Sequence, residues 1–344
     1  MADAASVKHA LEDVASGRPL TPERMAAALA ALTEAVADDA QRAAFLMGLR
    51  VRGETIDEIA AAARFLRSRM LAVTAPAEAI DIVGTGGDGH GTYNISTAAA
   101  IVTAAAGVPV AKHGNRSVSS KSGSSDVLAA LGVKIDLPPA ATARVLADVG
   151  LAFLWAPMHH PAMKVWAPAR ASLKLRTLFN VLGPLCNPAV VRRQVLGVYD
   201  AGLVEPIAMA LRDLGTERAF VVHGSDGMDE LTTTGPTRVA EIVDGTIVVF
   251  DAEPADAGLP RARLADLQGG DASANAAAVR RLLDGEQGAY RDIVVYNAGA
   301  ALVVAGRAGS LADGVEQAQR AVDNGSAGAK LEALIAATNR ETNA

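Results

Sequence analysis

Over roughly the first 72 positions, apolar residues recur at helical spacing and no strand pattern interrupts them. Thr21-Pro22-Glu23 sets a cap, a first-turn proline and an acid ahead of an Ala/Leu/Met segment. Thr55-x-x-Glu58 is a capping box that predicts a helix through about Arg69. From Ala79 the pattern changes. Short runs, most of them with β-branched residues, at 79–83, 108–111, 133–136, 151–154, 194–199, 219–223, 238–242, 246–250 and 292–295 predict strands. Alanine-rich segments between many of them, such as 124–132, 139–149, 202–214 and 273–284, predict helices, with closing helices at 297–306 and 311–324. This alternation predicts an α/β fold with a largely parallel sheet. Thr234 to Phe250 departs from it and reads as an antiparallel hairpin turning at Asp244-Gly245. The proline-rich stretch from Ala156 to Pro188 is expected to leave the sheet, pack on the N-terminal helices and return. The expected domains are therefore 1–72, all helical, and 73–344, α/β, with part of 156–188 crossing to the first.

Composition narrows the class. Half of the 344 residues are apolar but only 3% are aromatic, so the core must be built from Ala, Val, Leu and Ile. The net charge of −6 argues against a nucleic-acid or acidic-membrane partner. Cys186 stands alone, which excludes an intrachain disulfide and points to a reducing compartment. Met1 to Gly17 has no signal-peptide pattern. The longest apolar stretch, Ala98 to Ala111, is broken by Thr103, Gly107 and Pro109. A cytoplasmic enzyme is the expectation.

Two donor-rich loops carry the candidate chemistry. Gly84-Thr85-Gly86-Gly87-Asp88-Gly89 lies between an expected strand and an expected helix, where backbone N–H groups and a helix N-terminus can hold phosphate. It also spells a dinucleotide fingerprint. Gly91-Thr92-Tyr93-Asn94 delays the helix, however, and Lys112-His113 stands where that fingerprint needs an acid. Asn94-Ile95-Ser96-Thr97 opens the helix and reads either as ordinary capping or as part of the phosphate grip. Lys112-His113-Gly114-Asn115-Arg116-Ser117-Val118-Ser119-Ser120, with Ser124 beyond, concentrates cations, hydroxyls and an amide; its plainer reading is a solvated basic loop. Asp229-Glu230, after another expected strand, suits Mg²⁺ once a pyrophosphate supplies further oxygens, although adjacent surface acids are commonly just solvated. Arg170 offers a fork for a carboxylate. His113 and His160 are acid–base candidates by residue type, and structural roles serve equally well.

Together, Gly84 to Asp88, Asn94 to Thr97, Lys112 to Arg116, His160-Pro161-Ala162-Met163, Leu182-Gly183-Pro184-x-x-Asn187-Pro188 and Asp229-Glu230 resemble the anthranilate phosphoribosyltransferase family along essentially the whole chain. The departures from that pattern are His90, Tyr93, Cys186 and Leu173-Lys174-Leu175. The resemblance implies a small helical domain hinged to a larger α/β domain, a homodimer made through the helical domains, and Mg²⁺-dependent use of phosphoribosyl pyrophosphate, with about two ions per subunit. Carried over by position, Gly84, Gly87, Asp88, Thr92, Asn94, Ile95, Ser96, Thr97, the loop from Lys112 through His113, Gly114, Asn115, Arg116, Ser117, Val118 and Ser119 to Ser120, and Ser124 would hold phosphoribosyl pyrophosphate. Gly84, Asn115 and Arg170 would meet anthranilate, and Ser96, Asp229 and Glu230 would hold the metal. No residue is implied as a covalent nucleophile. Two rivals remain: a pyrimidine nucleoside phosphorylase of similar architecture, and a non-catalytic nucleic-acid-binding relative.

Overall fold

The computed structural model describes residues 4–34, 36–116 and 122–342. The chain opens with α1 (Ala4–Ala15), α2 (Pro22–Thr33), α3 (Asp39–Arg52) and α4 (Ile56–Arg67). Thr21 caps α2 through the Arg24 N–H, and the Thr55/Glu58 capping box opens α4. Glu58 does more than cap. Fully buried, it also accepts from the Leu20 N–H at 2.7 Å and from Arg52, tying the α1–α2 connection to α3 and α4.

Next come β1 (Ile80–Gly84), α5 (Ile95–Ala105), β2 (Val110–Gly114), α6 (Ser124–Ala130), α7 (Pro139–Val149) and β3 (Leu151–Trp155). The crossover is a run of short helices, with α8 (Ala156–His159), α9 (Ala167–Leu173) and α10 (Leu178–Leu185) among them. The chain then forms β4 (Arg193–Gly197), α11 (Val204–Asp213), β5 (Arg218–Gly224), β6 (Thr237–Val243) and β7 (Thr246–Ala252). It closes with α12 (Ala272–Leu283), α13 (Ala289–Val304), α14 (Leu311–Asp323) and α15 (Ser326–Thr342).

The strands form a seven-stranded sheet in the order β3-β2-β1-β4-β5-β6-β7. It is parallel from β3 to β5, and β6 and β7 add antiparallel. Asp244 (φ 47°) and Gly245 (φ 82°) make the tight β6–β7 turn, as the hairpin pattern requires.

Both faces of the sheet are covered, and the strands' period of two sorts their side chains between two cores. Ile80, Ile82, Val195, Phe220 and Val222 enter a core shared with α5, α7, α13, α14 and α15. Val83, Leu196, Ala219 and Val221 enter a second core with α1–α4, α10 and α11. The crossover belongs to this second core. Trp166 is 1% exposed, and its indole N–H donates to Thr33 Oγ1 at 3.2 Å.

Two expected strands are absent. Residues 292–295 lie inside α13, which is buried on every side, so its apolar run carries no helical stripe to distinguish it from a strand. Residues 133–136 form the loop between α6 and α7. Val133 is buried there and the Lys134 N–H donates to Thr338 Oγ1 at 3.2 Å, so the alternation marks packing against α15 rather than pairing in the sheet. The helix expected at 297–306 is the second half of α13, and α15 is not among the elements the pattern predicts.

Candidate active site

The strand order reverses between β1 and β4. The chain leaves β1 toward β2 on one side, while β4 arrives on the other only after the crossover. A crevice opens at the carboxyl ends of strands at such a switch point. Gly84 and Gly197 end these two strands and pair in register. A Cβ at Gly84 would lie 2.3 Å from Asp229 Oδ2, and one at Gly197 would lie 1.6 Å from the Asp229 carbonyl oxygen. The two glycines are therefore the seat on which Asp229 rests. The Gly86 N–H donates to Asp229 Oδ2 at 2.6 Å, which joins the loop after β1 to the loop after β5.

That second loop is internally braced. Asp226 accepts from the Thr232 and Thr234 hydroxyls at 2.7 and 2.6 Å. Asn297 on α13, fully buried, accepts from the Leu231 N–H at 3.0 Å and donates to the Leu231 carbonyl at 2.9 Å. Both bonds act on the residue that follows Glu230. The sequence reading missed Asn297; its one signal was a lone amide within an otherwise apolar run.

The acid pair meets the start of α5 and β2. Glu230 Oε1 accepts from the Ser96 N–H at 3.1 Å. Ser96 Oγ accepts from Lys112 Nζ at 3.2 Å, and Lys112 also donates to the Ile82 carbonyl. Lys112 is 3% exposed, so burial pulls its pKa down, opposed by Asp81, Glu230 and Asp229. Asp81, beneath the crevice, accepts from the His113 N–H at 3.1 Å and from Asn187 Nδ2 at 2.7 Å. Burial raises Asp81 to about 6 against the opposing charge of Lys112. Burial likewise pushes Asp229 and Glu230 up; the charge of Asp88 adds to the effect on Asp229, and that of Asp229 to the effect on Glu230. Several acids thus crowd around one buried lysine, and the cluster is short of positive charge. Among the described residues, no three His, Cys, Asp or Glu side chains converge on a point where they could cage a metal. A hard cation here would need oxygens from a bound substrate or water to complete its shell.

The N-terminus of α5 is open toward this cluster. Asn94 is its N-cap residue but makes no capping bond. Its amide instead donates to the Ser122 carbonyl at 3.2 Å and accepts from Asn275 at 2.8 Å. Of the first N–H groups of α5, Ile95 donates to the Tyr93 carbonyl at 2.9 Å and Ser96 to Glu230, which leaves that of Thr97 for an anion. Ile95 and Thr97 are each 1% exposed, so neither side chain is open to a ligand. Thr92 forms a bridge to Gln268, Tyr93 stacks on Tyr290 with ring centroids 4.3 Å apart, and Asp88 accepts from the His90 N–H at 3.2 Å. His90 Nε2 lies 3.0 Å from where a Gly227 Cβ would stand, so this departure from the family pattern also bridges the two loops.

The second donor loop is only partly described. Ser124 Oγ donates to the Asn115 carbonyl at 3.2 Å, and Arg116 lies 3.7 Å from Asp126. A Gly114 Cβ would stand 2.6 Å from Ser124 Oγ. Ser117, Val118, Ser119 and Ser120 lie outside the described residues. The His113 ring faces α10: its Nδ1 is 3.0 Å from the Gly183 carbonyl and its Nε2 is 3.2 Å from His160 Nε2. Burial holds both imidazoles neutral, with His113 well below its ordinary pKa and His160 pulled down to about 4. Arg170, half-buried on α9, lies with Cζ 5.4 Å from the Phe179 ring centroid. No hydrogen bond or ion pair joins it to Asn115 or to the strand-end loops among the described residues.

A glycine loop, the start of a helix and an acid pair beside a buried lysine meet at the switch point of a parallel sheet and mark the crevice of an α/β enzyme. Two family models divide the chain along the same lines. The helical bundle domain of the glycosyl transferase family matches residues 8–70, and the a/b domain of that family matches residues 76–328. The chain belongs to this glycosyl transferase family, and within it to the anthranilate phosphoribosyltransferases. The enzyme of that name from Parvibaculum lavamentivorans is 59% identical over 330 residues, covering 96% of this chain and 97% of the relative. The one from Rhodospirillum rubrum is 58% identical, covering 96% and 95%. Among solved structures, anthranilate phosphoribosyltransferase from Thermus thermophilus superposes with a TM-score of 0.90 at 43% identity, covering 97% of this chain and 99% of that one. The Saccharomyces cerevisiae enzyme in complex with PRPP and Mg gives 0.90 at 27% identity, covering 98% and 99%.

Proposed function

We propose that this chain transfers the 5-phosphoribosyl group of phosphoribosyl pyrophosphate to the amine of anthranilate, giving N-(5-phosphoribosyl)anthranilate and pyrophosphate in tryptophan biosynthesis. The observation that carries it is the convergence of Gly86, Ser96, Lys112, Asp229 and Glu230, from four separate segments, on one crevice. The glycine loop and the α5 N-terminus take the phosphates through N–H groups. Gly84, Gly87, Asp88, Thr92, Asn94, the Lys112–Ser120 loop and Ser124 complete that grip. Ser96, Asp229 and Glu230 hold Mg²⁺, about two ions per subunit. The fit is chemical: hard carboxylate oxygens, buried at Asp229 and half-buried at Glu230, with raised pKa values and, among the described residues, too few protein ligands for a closed site. When bound, Mg²⁺ supplies positive charge against the departing pyrophosphate.

Arg170 and Asn115 receive anthranilate. The Arg170 guanidinium has no carboxylate partner among the described residues, and burial lowers its pKa, so the carboxylate of the substrate satisfies it. An aromatic amine is unprotonated at neutral pH, so no strong base is required to create the nucleophile; the proton that the nitrogen sheds as its bond to C1 forms passes to water or to the departing pyrophosphate. The chain's work is to orient the amine behind C1 and to stabilise charge on the leaving group. Residues 1–72 and 73–344 act as two domains that close on the substrates about the segments joining α4 to β1 and α10 to β4. A homodimer through the helical bundle is part of this reading, and the exposed Val36 and Val51 on that bundle support it. So is a cytoplasmic location, supported by the single buried thiol of Cys186. No described helix is long and apolar enough to cross a membrane. The test is loss of anthranilate fluorescence on mixing the protein with anthranilate, phosphoribosyl pyrophosphate and Mg²⁺. Phosphorolysis of thymidine in place of that loss would refute the assignment.

A further inference from the structure

Arg176 lies in the turn between α9 and α10 and reaches the glycine loop from the crossover. A Cβ placed on Gly87 would stand 3.1 Å from its Nε, 3.6 Å from Nη2 and 3.7 Å from Cζ, so the guanidinium covers that glycine. The same group stacks on the Tyr199 ring, with Cζ 4.2 Å from the centroid. Tyr199 is itself anchored to the glycine loop. Its N–H donates to Thr85 Oγ1 at 3.1 Å, and the Thr85 N–H donates to the Gly197 carbonyl at 2.9 Å. Ring, arginine and loop therefore form one assembly, fixed before any ligand arrives.

Arg176 has no hydrogen-bond acceptor and no carboxylate partner among the described residues, although Asp88 adjoins Gly87. A guanidinium carries five N–H donors in a fork that matches phosphate oxygens. A half-buried fork held in place by a ring, with nothing to donate to, is arranged for an anion that comes from outside. Gly87 belongs to the loop whose neighbouring Gly86 N–H holds Asp229, which places this fork on the phosphate side of the crevice. Arg170, over Phe179, occupies a different place.

We propose that the Arg176 guanidinium, held over Gly87 by the Tyr199 ring, binds the pyrophosphate group of phosphoribosyl pyrophosphate. The inference rests on the transferase reading above. Charge on the pyrophosphate grows as its bond to C1 breaks, so the arginine also stabilises the departing group. Gly87 is required on two counts: its φ of +81°, and the room that its missing side chain gives the guanidinium.

The test compares Arg176→Gln, Arg176→Lys and Tyr199→Leu with the wild type. Arg176→Gln is expected to raise the KM for phosphoribosyl pyrophosphate at least tenfold, which is about 1.4 kcal/mol, while the anthranilate KM changes less than twofold. Calorimetry with inorganic pyrophosphate and Mg²⁺ should show the same loss of affinity without turnover. Arg176→Lys should recover part of it, and Tyr199→Leu should lose part. Wild-type turnover with an unchanged phosphoribosyl pyrophosphate KM and unchanged pyrophosphate binding in folded Arg176→Gln would overturn the role of the arginine alone. Absence of turnover by the wild type would overturn the transferase reading and the arginine's role with it.

Discussion

Gly197→Ala is the sharpest test of how the crevice is built. The added methyl would stand 1.6 Å from the carbonyl oxygen of Asp229 and 2.3 Å from its carbonyl carbon, where ordinary contact begins near 3.4 Å. Backbone cannot rotate away as a side chain can, so the loop after β5 must lift by roughly 1.5–2 Å. Overpacking of this kind costs about 1–3 kcal/mol, offset by about 0.5–1 kcal/mol because alanine restricts the unfolded chain more than glycine does. The expected net loss of stability is about 1–2 kcal/mol, read as a lower urea midpoint at unchanged slope. Activity should fall much further. Lifting Asp229 breaks its 2.6 Å bond from the Gly86 N–H and displaces both acids, and an error of about 1 Å in such a site costs on the order of 100-fold in rate. The assay is kcat/KM across a Mg²⁺ titration, with Gly328→Ala on α15 as control. There the new methyl lies 3.8 Å from the Leu283 carbonyl, ordinary contact, so kinetics should be unchanged and stability slightly higher. A folded Gly197→Ala protein with kcat/KM within threefold of wild type would refute the seating of Asp229 on the paired glycines.

Asp229→Asn together with Glu230→Gln should lower turnover and weaken its Mg²⁺ dependence; in the wild type, apparent Mg²⁺ affinity should rise with pH through neutrality, because raised carboxyls must first lose their protons. Equal Mg²⁺ titrations for variant and wild type would remove the metal assignment. Arg170→Ala should raise the anthranilate KM with a smaller effect on phosphoribosyl pyrophosphate, and an unaltered anthranilate KM rejects that role. His160 has a folded pKa of about 4 against an ordinary unfolded value near 6.5, so the folded protein binds fewer protons between them. Its contribution is complete above about pH 6.5 and is lost as pH falls toward 4, about 3 kcal/mol in all. His160→Asn should therefore flatten the acid limb of the stability profile relative to wild type, and parallel profiles would refute it.

The strands β1 to β7 were legible as short runs between turn or helical segments, most of them with β-branched residues and β3 (Leu151–Trp155) by its apolar character alone, and the hairpin because Asp244-Gly245 can adopt the positive φ its turn demands. The glycine loop, the Lys112 segment and Asp229-Glu230 were legible as chemistry because each concentrates donors or acids locally. Residues 292–295 misled because a helix with packing on every side has lost the polar face that marks a helix. Residues 133–136 misled because their alternation reflects burial against α15, a partner distant in sequence.

What the sequence by itself determined is therefore local: periods, caps, turns and the chemical character of single loops. Tertiary structure alone decided that Gly84 and Gly197 meet in register beneath Asp229, because a parallel sheet pairs strands far apart in the chain. It alone decided that Asn297 braces the acid loop from α13, that His113 turns away from the crevice toward His160, and that Arg176 is carried by Tyr199 onto Gly87. Each depends on where a crossover or a covering helix brings back a distant segment, and no periodicity in a single segment encodes that.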